Sequence, residues 1–174
     1  MRFYTIGHST RTFEAFVDLL LSNHVEILVD VRSFPHSRAY PQFDQATLPA
    51  SLRENGIAYL HLPALGGRRS RRLEDSPNGG WRVAAFRNYA DYMATEAFAA
   101  GMAELLAIAD DRAVALMCAE AVPWRCHRRL ISDCLVAKGH EVFEILSHAP
   151  PQPHRFTPFG IKGGACVIYP EEHP

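Results

Sequence analysis

Five short apolar runs punctuate the chain: RFYTI (2–6), VEILVDVR (25–32), IAYLHL (57–62), AVALMC (113–118) and EVFEILS (141–147). They are rich in β-branched and aromatic residues and too short for stable helices, so each reads as a strand. The stretches between them have helical spacing. In STRTFEAFVDLLLSNH (9–24), Phe13, Phe16, Val17 and Leu20 share one face, with Ser9 or Thr10 as the expected cap. TLPASLRENG (47–56) reads as a short helix between Thr47 and Gly56, and FRNYADYMATEAFAAGMAELLAIA (86–109) as helix with a break near Thr95. CHRRLISDCLVAKG (126–139) reads as a helix ended by Gly139.

Strand–helix alternation of this kind dictates a mostly parallel sheet with helices on both faces. The expectation is one α/β domain over residues 1–174, with a core at 2–148 and a five-stranded, mainly parallel sheet in a Rossmann-like three-layer arrangement. Its 174 residues suit one domain, and a hydrophobic fraction of 48% is enough for a core. Residues 63–82 have no apolar period and read as a long polar loop. Residues 149–174, rich in proline and glycine, read as an irregular tail along the surface.

In a parallel sheet the carboxyl ends of the strands share an edge, and ligands bind beyond it. Each run delivers chemistry there: Gly7-His8-Ser9 after the first, Asp30-Val31-Arg32 in the second, His61 in the third, Cys118-Ala119-Glu120 after the fourth, Ser147-His148 after the fifth. The densest stretch is MCAEAVPWRCHRRL (117–130). Cys126 and His127 stand four residues before Leu130 and Ile131, so helical spacing puts both near the core side of the helix start. Three readings compete. A helix N-terminus with Arg128 and Arg129 suits an anion. Cys118, Cys126 and His127 have ligand types that suit a metal. Against the metal, the spacing matches no standard zinc pattern, adjacent helical residues diverge by about 100°, and a remote His8 or His61 would have to complete the set. In the third reading the cysteines merely pack and the histidine caps.

GHSTR (7–11) is a second possible anion cradle, though it lacks a full nucleotide-binding fingerprint. In DVRSFPHSR (30–38), Asp30 and Arg32 fall on one face of the strand and can pair. That pair is either structural, or it sets Asp30 as base or hydroxyl acceptor while Arg32 and Arg38 clamp an anion.

Composition narrows the partners. The net charge is −1, so no global field favours nucleic acid or membrane. The basic residues are almost all arginine, Lys138 and Lys162 being the only lysines, and arginine suits planar recognition of carboxylate or phosphate. MRFYTIGHST has no long apolar stretch and no run reaches membrane-spanning length. Four cysteines in such a chain do not make a disulfide scaffold. The expectation is a soluble cytoplasmic protein with reduced thiols and no membrane partner.

The blocks TIGHSTR, LVDVRSFPHSRAYPQF, GIAYLHLPALGG, FRNYADYM and MCAEAVPWRCHRRLISDCL resemble, in this order, the signature blocks of the bacterial domain of unknown function family 488. The resemblance runs from about residue 3 to residue 147. It implies no activity, so function is argued from the residues. The expectation is an enzyme, a hydrolase or group transferase, acting on a small anionic, nucleotide-like substrate. Expected catalytic residues are His8, Asp30, Cys118, Glu120, Cys126 and His127, with no bound metal. Expected substrate-binding residues are Ser9, Arg11, Arg32, Arg38 and Arg128. The alternatives are a non-catalytic module binding a nucleotide or nucleic acid, extended duplex being disfavoured by the charge, and a metal or thiol-redox protein using Cys118, Cys126 and His127. No cofactor and no oligomeric state follow from the sequence. The loop GGRRSRRLEDSPNGG (66–80) is expected to be a lid, hinged at its glycine pairs and bringing Arg68, Arg69, Arg71 and Arg72 over the cleft.

Overall fold

The computed structural model describes residues 1–164 and 166–171. Strand β1 (Arg2–Gly7) is followed by helix α1 (Phe13–Ser22), β2 (Ile27–Asp30), α2 (Leu48–Glu54) and β3 (Ala58–His61). Helices α3 (Ala84–Tyr92) and α4 (Glu96–Ile108) come next, with Thr95 capping α4 at the expected break. Then come β4 (Val114–Cys118), α5 (Arg128–Ala137) and β5 (Glu141–Ile145).

The sheet has six strands rather than five, in the order β3-β2-β4-β1-β5-β6. The sixth, β6 (Gln152–Pro153), pairs antiparallel with β5, and the other pairings are parallel. Pro153 is tolerated because β6 is an edge. The order departs from the dinucleotide-binding 3-2-1-4-5-6 arrangement, because β4 lies between β2 and β1. The tail is not irregular either: β7 (Ile161–Gly163) and β8 (Cys166–Ile168) form a hairpin, and Val167 and Tyr169 enter the core.

Alternation along the strands feeds two cores. Ile6, Leu28, Ala115, Met117 and Ile145 face α1 and α2. Phe3, Val29, Leu116, Cys118 and Val142 face α3, α4, α5 and the tail. Helices therefore cover both faces. The central strands β2 and β4 are buried throughout, whereas edge strand β3 is half open, as parallel-sheet burial requires.

Three local expectations are corrected. Ser9 does not cap α1; its φ is +48° and its N–H is spent on the Ala119 carbonyl, while the Thr12 hydroxyl accepts from Ala15. Helix α5 starts at Arg128, not Cys126, because a 3-10 turn at Pro123–Arg125 leaves Cys126 extended. The expectation of reduced thiols fails for Cys134 and Cys166, which form a disulfide tying β8 to α5; Cys118 and Cys126 are free. No helix among the described residues is long and apolar enough to cross a membrane.

Candidate functional site

The register places the strand ends together: Gly7 pairs with Cys118, and Asp30 with both Met117 and His61. At this edge a cleft of about 290 Å³ is lined by Arg32, Cys118, Glu120, Cys126 and His127, with Arg68 and Arg125 among the residues around them.

His127 is the pivot. Its Nε2 lies 2.9 Å from the Val31 carbonyl, which can only accept, so Nε2 carries the proton. Nδ1 then faces the sulfurs, 3.6 Å from Cys126 Sγ and 4.0 Å from Cys118 Sγ. The three donor atoms all lie within 4.8 Å of one another. The helical divergence expected to separate Cys126 from His127 does not arise, since Cys126 is extended. A β-carbon at Gly67 would run into the His127 ring, so loop 63–82 packs directly on this side chain.

The two thiols have opposite characters. Cys118 donates to Glu120 Oε2 at 2.9 Å. The adjoining Cys126 sulfur, then burial and the Glu120 charge, push its pKa up. Burial works against ionisation of Cys126, but the adjoining Cys118 thiol, His127 and the Arg128 charge together bring its pKa well down. Arg128 donates to Cys126 Sγ from N and Nε at 3.5 and 3.4 Å, and from Nη2 to the Glu120 carbonyl at 2.6 Å. It is buried and spent on these contacts, so it sets the local field rather than meeting ligand.

Behind the cleft lies a closed network. Asp30, fully buried, accepts from Arg32 N (3.0 Å), Nε (2.9 Å) and Nη2 (2.6 Å) and from the Tyr59 hydroxyl (2.7 Å). Arg32 Nη2 also donates to the Phe43 carbonyl, and Nη1 lies 3.3 Å from His8 Nε2. His8 stacks on Phe43 and sends Nδ1–H to the Ser9 carbonyl. Burial, aided by the Arg32 charge and opposed by the bond to Ser9, lowers the His8 pKa, which keeps the ring neutral and Nε2 an acceptor. His61 donates to the Arg32 carbonyl. Neither His8 nor His61 turns toward the thiols.

Of the expected site residues, the cleft thus gathers Cys118, Glu120, Cys126, His127 and Arg32. His8, Asp30 and Arg128 stand behind it. Ser9 is a turn residue, and Arg11 is occupied by the carbonyls of Gly7 and Leu146. Arg38 is exposed on the loop after β2 and does not line the cleft. Sequence reasoning missed Tyr59, Ser33, Phe34 and Arg125. Only Tyr59 left a signal, because it alternates with His61 on β3 beside Asp30. The glycine pairs are not free hinges: Gly66 packs on Ser33, and Gly79 and Gly80 on residues 169–171. Arg69 is fixed 3.6 Å over the Tyr92 ring, and Arg68 alone of the four loop arginines lines this cleft.

The family model for Domain of unknown function DUF488 matches residues 12–135, well over half the chain. The chain belongs to the DUF488 family. The matched region of the family spans β2, β3 and β4 and every residue of the thiol–histidine cluster, while His8 falls just before it. No curated protein and no solved structure matches the chain.

Proposed function

We propose that the chain is an enzyme, a hydrolase or group transferase, acting on a small anionic, nucleotide-like substrate. One observation carries this reading: Arg68 and Arg125, both exposed and without a carboxylate partner among the described residues, line the same cleft as Glu120 and the thiol–histidine cluster. Unpaired guanidinium groups beside a recess are suited to phosphate or carboxylate. Phe34, which is 65% exposed, and Phe86 offer flat apolar surface in the same cleft, where the ring of a nucleotide-like ligand would lie.

In this scheme Arg68 and Arg125 hold the anion, with Arg32 held in place by Asp30 at the back wall. Glu120 serves as general acid or base. It is exposed on the cleft side and already receives a proton donor at 2.9 Å. The experiment is turnover against a panel of phosphorylated and carboxylated nucleosides and their esters. For a substrate so found, Glu120→Gln should lower turnover by about 10²–10⁴-fold with ligand affinity kept, and Arg125→Ala should weaken affinity. Tight binding of a panel member with no product would favour the non-catalytic module instead.

A further inference from the structure

We propose that Cys118, Cys126 and His127 form a three-donor site for a thiophilic divalent cation, Zn²⁺ first among them, with its fourth position open to the cleft. The inference deepens the enzyme reading in one respect, the use the ion is put to, and rests otherwise on donor geometry alone.

A tetrahedral zinc ion with sulfur at about 2.3 Å and nitrogen at about 2.0 Å needs its sulfur and nitrogen donors about 3.5 Å apart. The two separations here are 3.6 and 4.0 Å. Both sulfur–nitrogen pairs therefore lie within about half an ångström of the tetrahedral separation. Two sulfurs and one imidazole exclude hard cations such as Mg²⁺ and Ca²⁺, which require oxygen.

The surroundings are those a ligating histidine needs. A metal-bound imidazole has its other N–H fixed by an acceptor, and here Val31 supplies the carbonyl at 2.9 Å. The extra negative charge of a bound thiolate is met by two N–H groups of Arg128 on Cys126 Sγ. Cys118 already points its proton at Glu120, which gives that proton an exit when the sulfur binds the ion. The ligand count also matters. Structural zinc sites close with four protein donors, whereas three donors and an open position are the catalytic pattern. Here the open position faces Glu120 and the arginines, where a water or a substrate oxygen would sit. The donors stand at the end of β4 and just before α5, both packed in the core, so the site is formed without the ion.

The test is a titration of the full-length, metal-stripped protein with Co²⁺ alone, followed by absorbance, then displacement by Zn²⁺. A thiolate-to-cobalt charge-transfer band and intense visible bands, saturating at one equivalent and erased by Zn²⁺, are expected. Cys118→Ser, Cys126→Ser and His127→Gln should each weaken binding by more than the roughly 10–100-fold typical of losing an outer partner. Glu120→Gln removes only an outer partner of Cys118 and should weaken binding by no more than that roughly 10–100-fold, with the charge-transfer band kept. Unliganded melting curves of the variants verify folding, and the titration of the parent needs no variant. Absence of the charge-transfer band, or a band that survives both Cys126→Ser and His127→Gln, would overturn the site. Cobalt bound without turnover of any substrate counts against the enzyme reading and leaves the ion site standing. Turnover of a substrate by protein that gives no cobalt band does the reverse.

Discussion

Replacing Asp30 by Asn separates a structural pair from a catalytic base. Asp30 is fully buried and Arg32 is 6% exposed. The carboxylate takes four donors within 3.0 Å: three from Arg32 and one from Tyr59. Asn keeps the shape but removes the charge, and its NH₂ faces donors where the carboxylate had acceptors. The guanidinium then stays buried with neutral acceptors alone, the remaining Asn oxygen, the Phe43 carbonyl and His8 Nε2, and no anion beside it. Breaking a buried pair from one side costs about 3–5 kcal/mol, far more than the pair contributes relative to an apolar replacement. For a chain of this length that is a fall in Tm of roughly 6–20 °C, at about 2–4 °C per kcal/mol. Thermal and urea unfolding of Asp30→Asn measure it. The double variant Asp30→Leu with Arg32→Met is the control and should recover more than half the loss, because no charge is left unpaired. A loss under about 0.5 kcal/mol for Asp30→Asn, within the range of an ordinary surface change, would refute the closed network and free Asp30 for a role in the cleft.

Two further outcomes are expected. Burial opposes the charged form of His154, but hydrogen bonds to Asp133 and Glu144, both at 2.8 Å, outweigh it and raise its pKa above 6.5. The stabilisation is therefore complete below about pH 6.5 and is lost as pH rises through the higher folded value; the gap in melting temperature between the parent and His154→Gln should narrow from pH 6 to pH 9, and a constant gap would contradict the pairing. Gly67→Ala should destabilise by about 1–3 kcal/mol through overpacking on the His127 ring, measured by urea unfolding. Gly163→Ala, with open space around its β-position, should change stability by less than about 0.5 kcal/mol; equal losses would mean that loop 63–82 yields freely.

Much of the site was legible because one inference does the placing. Once the runs are strands of a parallel sheet, the residues after them must share an edge, whatever the strand order. That is why Arg32, Cys118, Glu120 and His127 meet although β4 lies between β2 and β1. What stayed hidden depends on competition between equivalent local choices. Ser9, Thr10 and Thr12 can all cap a helix; the choice falls to Thr12 because the N–H groups of His8 and Ser9 extend the pairing of β1 onto Cys118 and Ala119. The tail escaped because strands of two or three residues carry too few positions for a period. Even the disulfide follows from this, since Cys166 gains a partner only once β8 lies on α5.

The start of α5 is the most consequential difference. Helical spacing read back from Leu130 assigns Cys126 and His127 to one rod, where their side chains point about 100° apart and cannot share an ion. The turn at Pro123–Arg125 instead leaves Cys126 extended at φ −136° and ψ 148°, with His127 as the cap. In that geometry both side chains face the end of β4, and the histidine is locked by Val31 from the neighbouring strand. Pro123 is the residue behind this. It opens a short turn that must end before the next helix can begin, and the two residues left between them are the donors. Replacing Pro123 by Ala should therefore loosen the placement of Cys126 before it affects the sheet. Weaker cobalt affinity with an unchanged melting temperature would show it, whereas equal affinity would mean that the contacts of Arg128 with Cys126 hold the sulfur in place by themselves.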